Sequence, residues 1–197
     1  MNESPSHGNS LRTRLLGMGT LPFACTVVVA INALYILLVA IGNITDYGTN
    51  FDFVKHVLSM DTTNFGAPPG EGLDQDVMWR AIEAHWFHHV AYVGVILWES
   101  TAALVLLASV RAWLRAPRAR NYEQARRLAT IGFSMILVLF MGGFITIGGE
   151  WFQMWRSTSW NGLEPAFRNS VLAAFGLVLI HLPSNQWGRS ADGPAST

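Results

Sequence analysis

The sequence predicts an all-α protein: a four-helix transmembrane bundle, its helices antiparallel, with ordered outer loops. Three observations predict it. Hydrophobic residues make up 51% of the chain against 13% charged, with 12% aromatic, a balance outside the range of soluble domains. The apolar residues stand in blocks rather than at helical or strand periodicity, and the blocks are about 20 residues long, the length that crosses the hydrocarbon core at ~1.5 Å per residue. Finally, arginine is crowded into one connection.

Residues 1–20 form a cytoplasmic segment expected to be disordered, because Ser, Asn, Gly and Pro dominate its first ten positions and bury nothing. Arg12 and Arg14 precede the first apolar run, residues 21–41. That run exceeds a signal-peptide core and is not followed by a small-x-small cleavage site, so an uncleaved helix is expected. Its Cys25 is the single cysteine, which excludes an intramolecular disulfide and any CxxC motif.

A long connection follows, with Gly66, Pro68, Pro69, Gly70 and Gly72 forbidding regular structure midway. Before that break, Phe53 or Val54, Val57, and Met60 or Asp61 recur at helical spacing, which predicts a short amphipathic helix. After it, Asp74 reads as the N-cap of a helix running through Met78 and Ile82 into the second span.

The second span covers 86–110, the third 128–149 and the fourth 166–182, with Pro183 as its stop. In the third, Gly142 and Thr146 form a small-xxx-small pair suited to close helix approach. Trp151, Trp155 and Trp160 suit a headgroup region. Residues 21–184 thus form one transmembrane domain, and 185–197, with Gly, Ser and Pro, a cytoplasmic tail expected to be disordered.

Between the second and third spans stand Arg111, Arg115, Arg118, Arg120, Arg126 and Arg127, and short loops rich in Lys and Arg stay in the cytoplasm. Four crossings then put both termini inside. The formal net charge of zero hides this segregation and says nothing about nucleic acid, but no basic patch suggests a DNA or RNA partner. The partners expected are the bilayer itself and a membrane-protein partner or a second copy.

Polar groups inside apolar spans mark where function resides. Glu99, Tyr92, His88 and His85 fall within roughly 40° of one line on the second helix. Counting residues inward from each surface puts Asn32 of the first span level with Glu99 near the midplane, with Tyr35 one turn outward and facing Tyr92. An Asn32–Glu99 hydrogen bond is the expectation, either as a lock between helices or as part of a proton or ion pathway. At the outer surface, His85, His88 and His89 have i, i+3, i+4 spacing, and Glu150 ends the third span. With His56 or Asp61 from the loop they are the candidate metal ligands, a donor set suited to Zn, Cu or Fe. No cofactor is certain from this pattern, which lacks HExxH. Nucleophile elbows, phosphate-binding loops and dinucleotide fingerprints are absent.

Two stretches carry a resemblance: His56-Val57-Leu58-Ser59-Met60-Asp61-Thr62, and Gly148-Gly149-Glu150-Trp151-Phe152-Gln153-Met154-Trp155, extended by Trp160-Asn161-Gly162. With Glu99 in the second span, the chain from about Asn32 to Pro183 resembles a bacterial domain-of-unknown-function family of predicted small integral membrane proteins. Arg156 stands where that resemblance leads one to expect glutamine. The resemblance implies a four-helix protein of the bacterial inner (plasma) membrane and supplies no activity or catalytic residue.

Three functions are therefore compared. The leading one is a non-enzymatic accessory, assembly or structural subunit of a membrane complex. A metal-dependent or redox membrane enzyme using the outer His and Glu residues is the second, and a proton or ion pathway centred on Glu99 the third.

The arginine count makes the topology testable. A reporter active only in the cytoplasm should work when fused after Arg120 and fail when fused after Gly70; the reverse pattern overturns the orientation.

Overall fold

The computed structural model describes residues 18–119 and 121–188. Arg12, Arg14, Arg120, and the segments 1–17 and 189–197, over most of which disorder is expected, lie outside the described residues. Four helices are long and apolar enough to cross a membrane, and no strand occurs among the described residues.

Helix α1, Leu21–Thr45, opens with Pro22 in its first turn, where no backbone N–H is needed. A single residue, Asp46, breaks it at φ −121° and ψ 58° and sends its own N–H back to the Gly42 carbonyl at 2.8 Å. Helix α2, Tyr47–Ser59, follows directly and is the amphipathic helix of the first connection. Helix α3, His85–Ala119, has 35 residues against 25 in α1, so it overshoots its neighbour. The helix expected to run continuously from Asp74 does not form. Asp74 does accept the Asp76 N–H at 3.2 Å, but the chain makes only a 3₁₀ turn, Met78–Arg80. Extended Ala81 then diverts it, and the Ile82 N–H bonds the Leu58 carbonyl at the end of α2 at 2.8 Å. That anchor is a tertiary bond that outweighs the local helical pattern.

Helix α4, Glu123–Leu137, continues without a break into a π-helical segment, Val138–Trp151. There, hydrogen bonds reach five residues back, as between the Phe152 N–H and the Ile147 carbonyl at 3.0 Å. So long a π segment is rare. It also overturns the close helix approach expected at the Gly142 and Thr146 pair, because the wider winding moves side chains off α-helical spacing. A Cβ on Gly142 would meet nothing within 4 Å, and Thr146 is exposed, its hydroxyl on the Met141 carbonyl at 2.9 Å. Helix α5, Leu163–His181, stops just before Pro183.

Around the bundle, α1 packs on α3, α3 on α4, α4 and its π extension on α5, and α5 returns to α1. The inward stripe of α1 is Cys25, Val29, Ala33, Ile36 and Ala40, and α3 contributes Ala102, Ala103 and Leu106. The small ones among them, Cys25, Ala33, Ala40, Ala102 and Ala103, let backbones approach closely, which is how helices associate where lipid removes the hydrophobic drive. Only 28–33% of each spanning window is buried. What faces outward is aliphatic, including Ile31, Leu34, Leu104, Val138 and Val178. Water would not tolerate so much exposed apolar surface, whereas hydrocarbon is its natural solvent.

The fold also reaches past residue 184. Asn185–Trp187 make a 3₁₀ turn, and Trp187 lies edge-on to Trp113 and Tyr122, both at 5.9 Å between centroids, with the Arg126 guanidinium 4.9 Å from its ring. The tail boundary expected at residue 185 therefore falls later, because burying the indole against this aromatic cluster holds the chain down.

Close approach is concentrated where glycine meets a large neighbour. A Cβ on Gly176 would lie 2.5 Å from the buried Phe133 ring. Gly176→Ala should therefore cost about 1–3 kcal/mol by overpacking, while Gly142→Ala should cost nothing measurable. Thermal unfolding in detergent micelles separates the two, and equal midpoints would refute this packing.

Candidate functional site

The two connections at one end of the bundle fold into a single cap. Met60 at the end of α2 and Gln153 after the π segment both take the left-handed conformation, at φ 54° and 51°, so each chain reverses sharply without glycine. Met60 is fully buried, and its carbonyl accepts from the N–H and hydroxyl of Thr63 at 3.2 and 2.7 Å. The reversals bring the two motif stretches together. Ser157 donates to the Thr62 hydroxyl at 2.9 Å, the Phe65 N–H to the Arg156 carbonyl at 3.0 Å, and Arg156 Nη1 to Asp74 Oδ2 at 2.9 Å. That Arg156 hydrogen bond, aided by the Asp76 N–H, holds the Asp74 carboxyl below the usual range. The His56 ring stacks on Trp160 at 4.7 Å while its Nδ1 meets both Asp61 oxygens at 2.9 Å.

Beneath the cap lies a chamber of about 380 Å³. Its floor is Glu99, 2% exposed, whose Oε2 accepts from Asn43 Nδ2 at 2.6 Å. The amide of Asn43 is held in turn, its Oδ1 accepting from Asn50 Nδ2 at 2.8 Å and its backbone carbonyl from the Tyr92 hydroxyl at 3.2 Å. Asn50, Thr49, Ser159 and Asn161, all exposed, form the mouth, and Phe53, Phe144 and Trp160 the walls. Beside the chamber is a second hollow of about 250 Å³ lined by apolar residues, among them Val57, Leu58, Leu139 and Ile147. Phe53, Val54, Val95 and Phe144 border both hollows.

The structure keeps Glu99 and Tyr92 in one site and removes Asn32 and Tyr35 from it. Asn32 Nδ2 bonds the Val28 carbonyl of its own helix at 2.8 Å, and Tyr35 is exposed. The partner of Glu99 is Asn43, eleven residues further along α1, a displacement of roughly 16 Å on a helix. The expected depth match presumed that the end of the first span and the start of the second, which runs the opposite way, lie at the same level. Instead, the first turns of α3 project past the end of α1 and pack against α2, as Tyr47 and Phe51 do on Tyr92. Glu99 is therefore level with the last turn of α1, not its centre.

The proposed metal ligands are also dispersed. Among the described residues, no three His, Cys, Asp or Glu side chains gather to hold a metal. His88 is buried and donates from Nε2 to the Ile82 carbonyl at 2.6 Å, so it clamps the connection that precedes α3. His89 Nδ1 meets the Tyr47 hydroxyl at 2.8 Å and its Nε2 meets His85 Nε2 at 3.3 Å. His56 and Asp61 pair with each other in the cap. Glu150 is exposed beside Thr146, Trp151 and Phe152. Gly148 and Gly149 do permit close approach, but to Met154 and to Leu163 at the start of α5, not to the histidines on α3.

Asn43 and Asn50 were not legible as site residues. Their signal was weak: two amides seven apart that straddle the Asp46 break, which face one another only because α2 folds back.

A family model described as "Predicted small integral membrane protein (DUF2165)" matches residues 21–183. No curated protein and no solved structure matches the chain.

The geometry makes the Glu99 bond measurable. Glu99→Gln keeps an acceptor for Asn43 and should be nearly silent for stability, whereas Glu99→Ala and Asn43→Ala should each lose about 1–2 kcal/mol, the scale of hydrogen bonds between membrane helices. Unfolding in detergent is the measurement, and an Asn43→Ala protein as stable as wild type would remove the bond from the stability of the fold.

Proposed function

Because the chain belongs to the DUF2165 family of predicted small integral membrane proteins, we propose that it works without chemistry of its own, as an accessory or assembly subunit of a larger membrane complex. The observation that carries this reading is the surface of the cap. Trp79 and Trp151 meet edge-on at 5.5 Å, and the Arg80 guanidinium lies 5.4 and 5.1 Å from their rings. Phe65 and Trp155 repeat the arrangement at 5.9 Å with Arg156 at 5.8 and 5.2 Å. All four aromatic residues are exposed, at 44–68%. Trp and Arg held rigid on a preorganised surface are the residues that dominate protein–protein contacts.

A cap built with internal hydrogen bonds is more than the two connections need merely to join the spans. The reading places the protein in a bacterial inner membrane with its termini in the cytoplasm, on the strength of Arg111, Arg115, Arg118, Arg126 and Arg127 at the end opposite the cap. The cap then faces outward, where it is open to a partner.

In native electrophoresis of membranes solubilised in mild detergent, the wild-type protein should migrate in an assembly larger than its own 21.7 kDa and bound detergent account for. Replacing Trp79 and Trp151 together by Ala should release it while leaving the helical content unchanged. Migration of the wild type as a lone protomer would overturn the reading.

A further inference from the structure

The chamber over Glu99 has a chemistry that cap docking does not use. We propose that the chamber and the apolar hollow beside it form one binding site for an amphipathic ammonium compound, with the cationic head on Glu99 and the hydrocarbon tail along Val57, Leu58, Leu139 and Ile147.

Charge is the first argument. Glu99 is buried and lines the chamber, and among the described residues only its Oε2 has a hydrogen-bond partner. Among the described residues no Lys, Arg or His lines the chamber, so no basic side chain there offsets an ionised carboxylate. An uncompensated carboxylate away from water is costly, and a bound ammonium meets it with charge-assisted hydrogen bonds. The surrounding rings of Phe53, Tyr92, Phe144 and Trp160 offer faces that attract a cation.

The second argument is connectivity. From Glu99 the hydrogen bonds run to Asn43 and Asn50 and end at the mouth. Among the described residues none leads from Glu99 toward the opposite end of the bundle, so the polar groups make an entry to Glu99 and not a hydrogen-bonded relay through the membrane.

Shape is the third. The chamber volume falls within the ~300–1,000 Å³ of small-molecule sites, and its neighbour is walled by apolar side chains throughout. A polar head compartment next to an apolar one is complementary to an amphiphile. The shared partition, Phe53, Val54, Val95 and Phe144, is where head gives way to tail.

An ammonium head on a hydrocarbon tail has two sources, an aminophospholipid of the bilayer or a free alkylamine. The full-length protein in nonionic detergent is titrated with dilauroyl phosphatidylethanolamine, with dodecylammonium, and with dilauroyl phosphatidylglycerol as a control of equal tail, and bound species are counted by native mass spectrometry. The phosphatidylethanolamine should be retained and the phosphatidylglycerol should not. Binding of dodecylammonium alone supports the site and identifies the free amine as occupant. Glu99→Gln should weaken binding about tenfold or more while keeping the unliganded thermal midpoint. Val54→Trp, which fills the partition, should weaken it as well and serves if the Glu99 variant does not fold. Equal retention of the two phospholipids without binding of dodecylammonium, or undiminished binding by Glu99→Gln, overturns the proposal.

Discussion

The hydrogen bond from Asn43 to Glu99 at 2.6 Å sets the lengthwise register of α1 against α3. A carboxyl group inside a helix bundle needs a partner, because neither lipid nor aliphatic side chains replace the hydrogen bonds of water. Aliphatic faces alone specify register weakly, since one Leu-on-Ala contact resembles the next. With Asn43 in the last turn of α1, the match to Glu99 leaves the first turns of α3 standing beyond that helix. Those turns are what α2 packs against, through Phe51 on His89 at 4.1 Å and Tyr47 on Tyr92 at 4.7 Å. The placement of α2 in turn delivers Asn50 and Phe53 to the chamber, and Phe53 seats against Gly162 of the second connection, where a Cβ would lie 2.7 Å from the ring.

Packing in the spans and packing in the cap follow different physics. Within the spans, small residues such as Ala33, Ala103, Ser109 and Gly176 face inward among larger ones such as Ile36, Leu106 and Phe133, so cohesion comes from close contact and a few hydrogen bonds such as Ser109 to the Ala125 carbonyl at 2.9 Å. In the cap, Thr62, Thr63, Asn64 and Ser157 are buried and each has a hydrogen-bond partner. Asn64 Nδ2 alone reaches the carbonyls of Pro68 and Glu71 at 2.8 and 2.9 Å, which ties down the Gly- and Pro-rich stretch that no regular structure holds. Such networks specify one arrangement because each member leaves an unpaired group if it moves.

The two motif stretches owe their character to this cap. Arg156 illustrates it, since its carbonyl takes the Phe65 N–H and its guanidinium takes Asp74, so one residue of the second connection grips two points of the first. The histidines illustrate the converse. At i, i+3 and i+4 they have ligand spacing, yet they do not converge on one point: His88 is engaged by a backbone carbonyl, while His89 meets Tyr47 on one side and His85 on the other. Spacing on a helix says which side chains share a face, and the residues packed on that face say what they do.

The all-helical class, the number of spans and the short helix in the first connection were legible in the sequence, because each depends on local quantities: the length of an apolar block, the spacing of Val54, Val57 and Met60, and stops such as Pro183. Tyr92 and Glu99 were legible as one polar face for the same reason. What the sequence did not determine was anything that relates one helix to another. The pairing of Glu99 with Asn43 rather than Asn32 depends on how far α3 overshoots α1, a length difference that apolar blocks do not record because each helix continues past the C-terminal end of its apolar run, to Thr45 in α1 and to Ala119 in α3. The π winding of Val138–Trp151, which undid the close helix approach expected at the Gly142 and Thr146 pair, depends on hydrogen-bond geometry that residue types leave open. The chamber exists only in the tertiary structure, since its mouth, walls and floor come from α1, α2, α3, the π segment and the start of α5, and no one segment contains enough of it to be recognised.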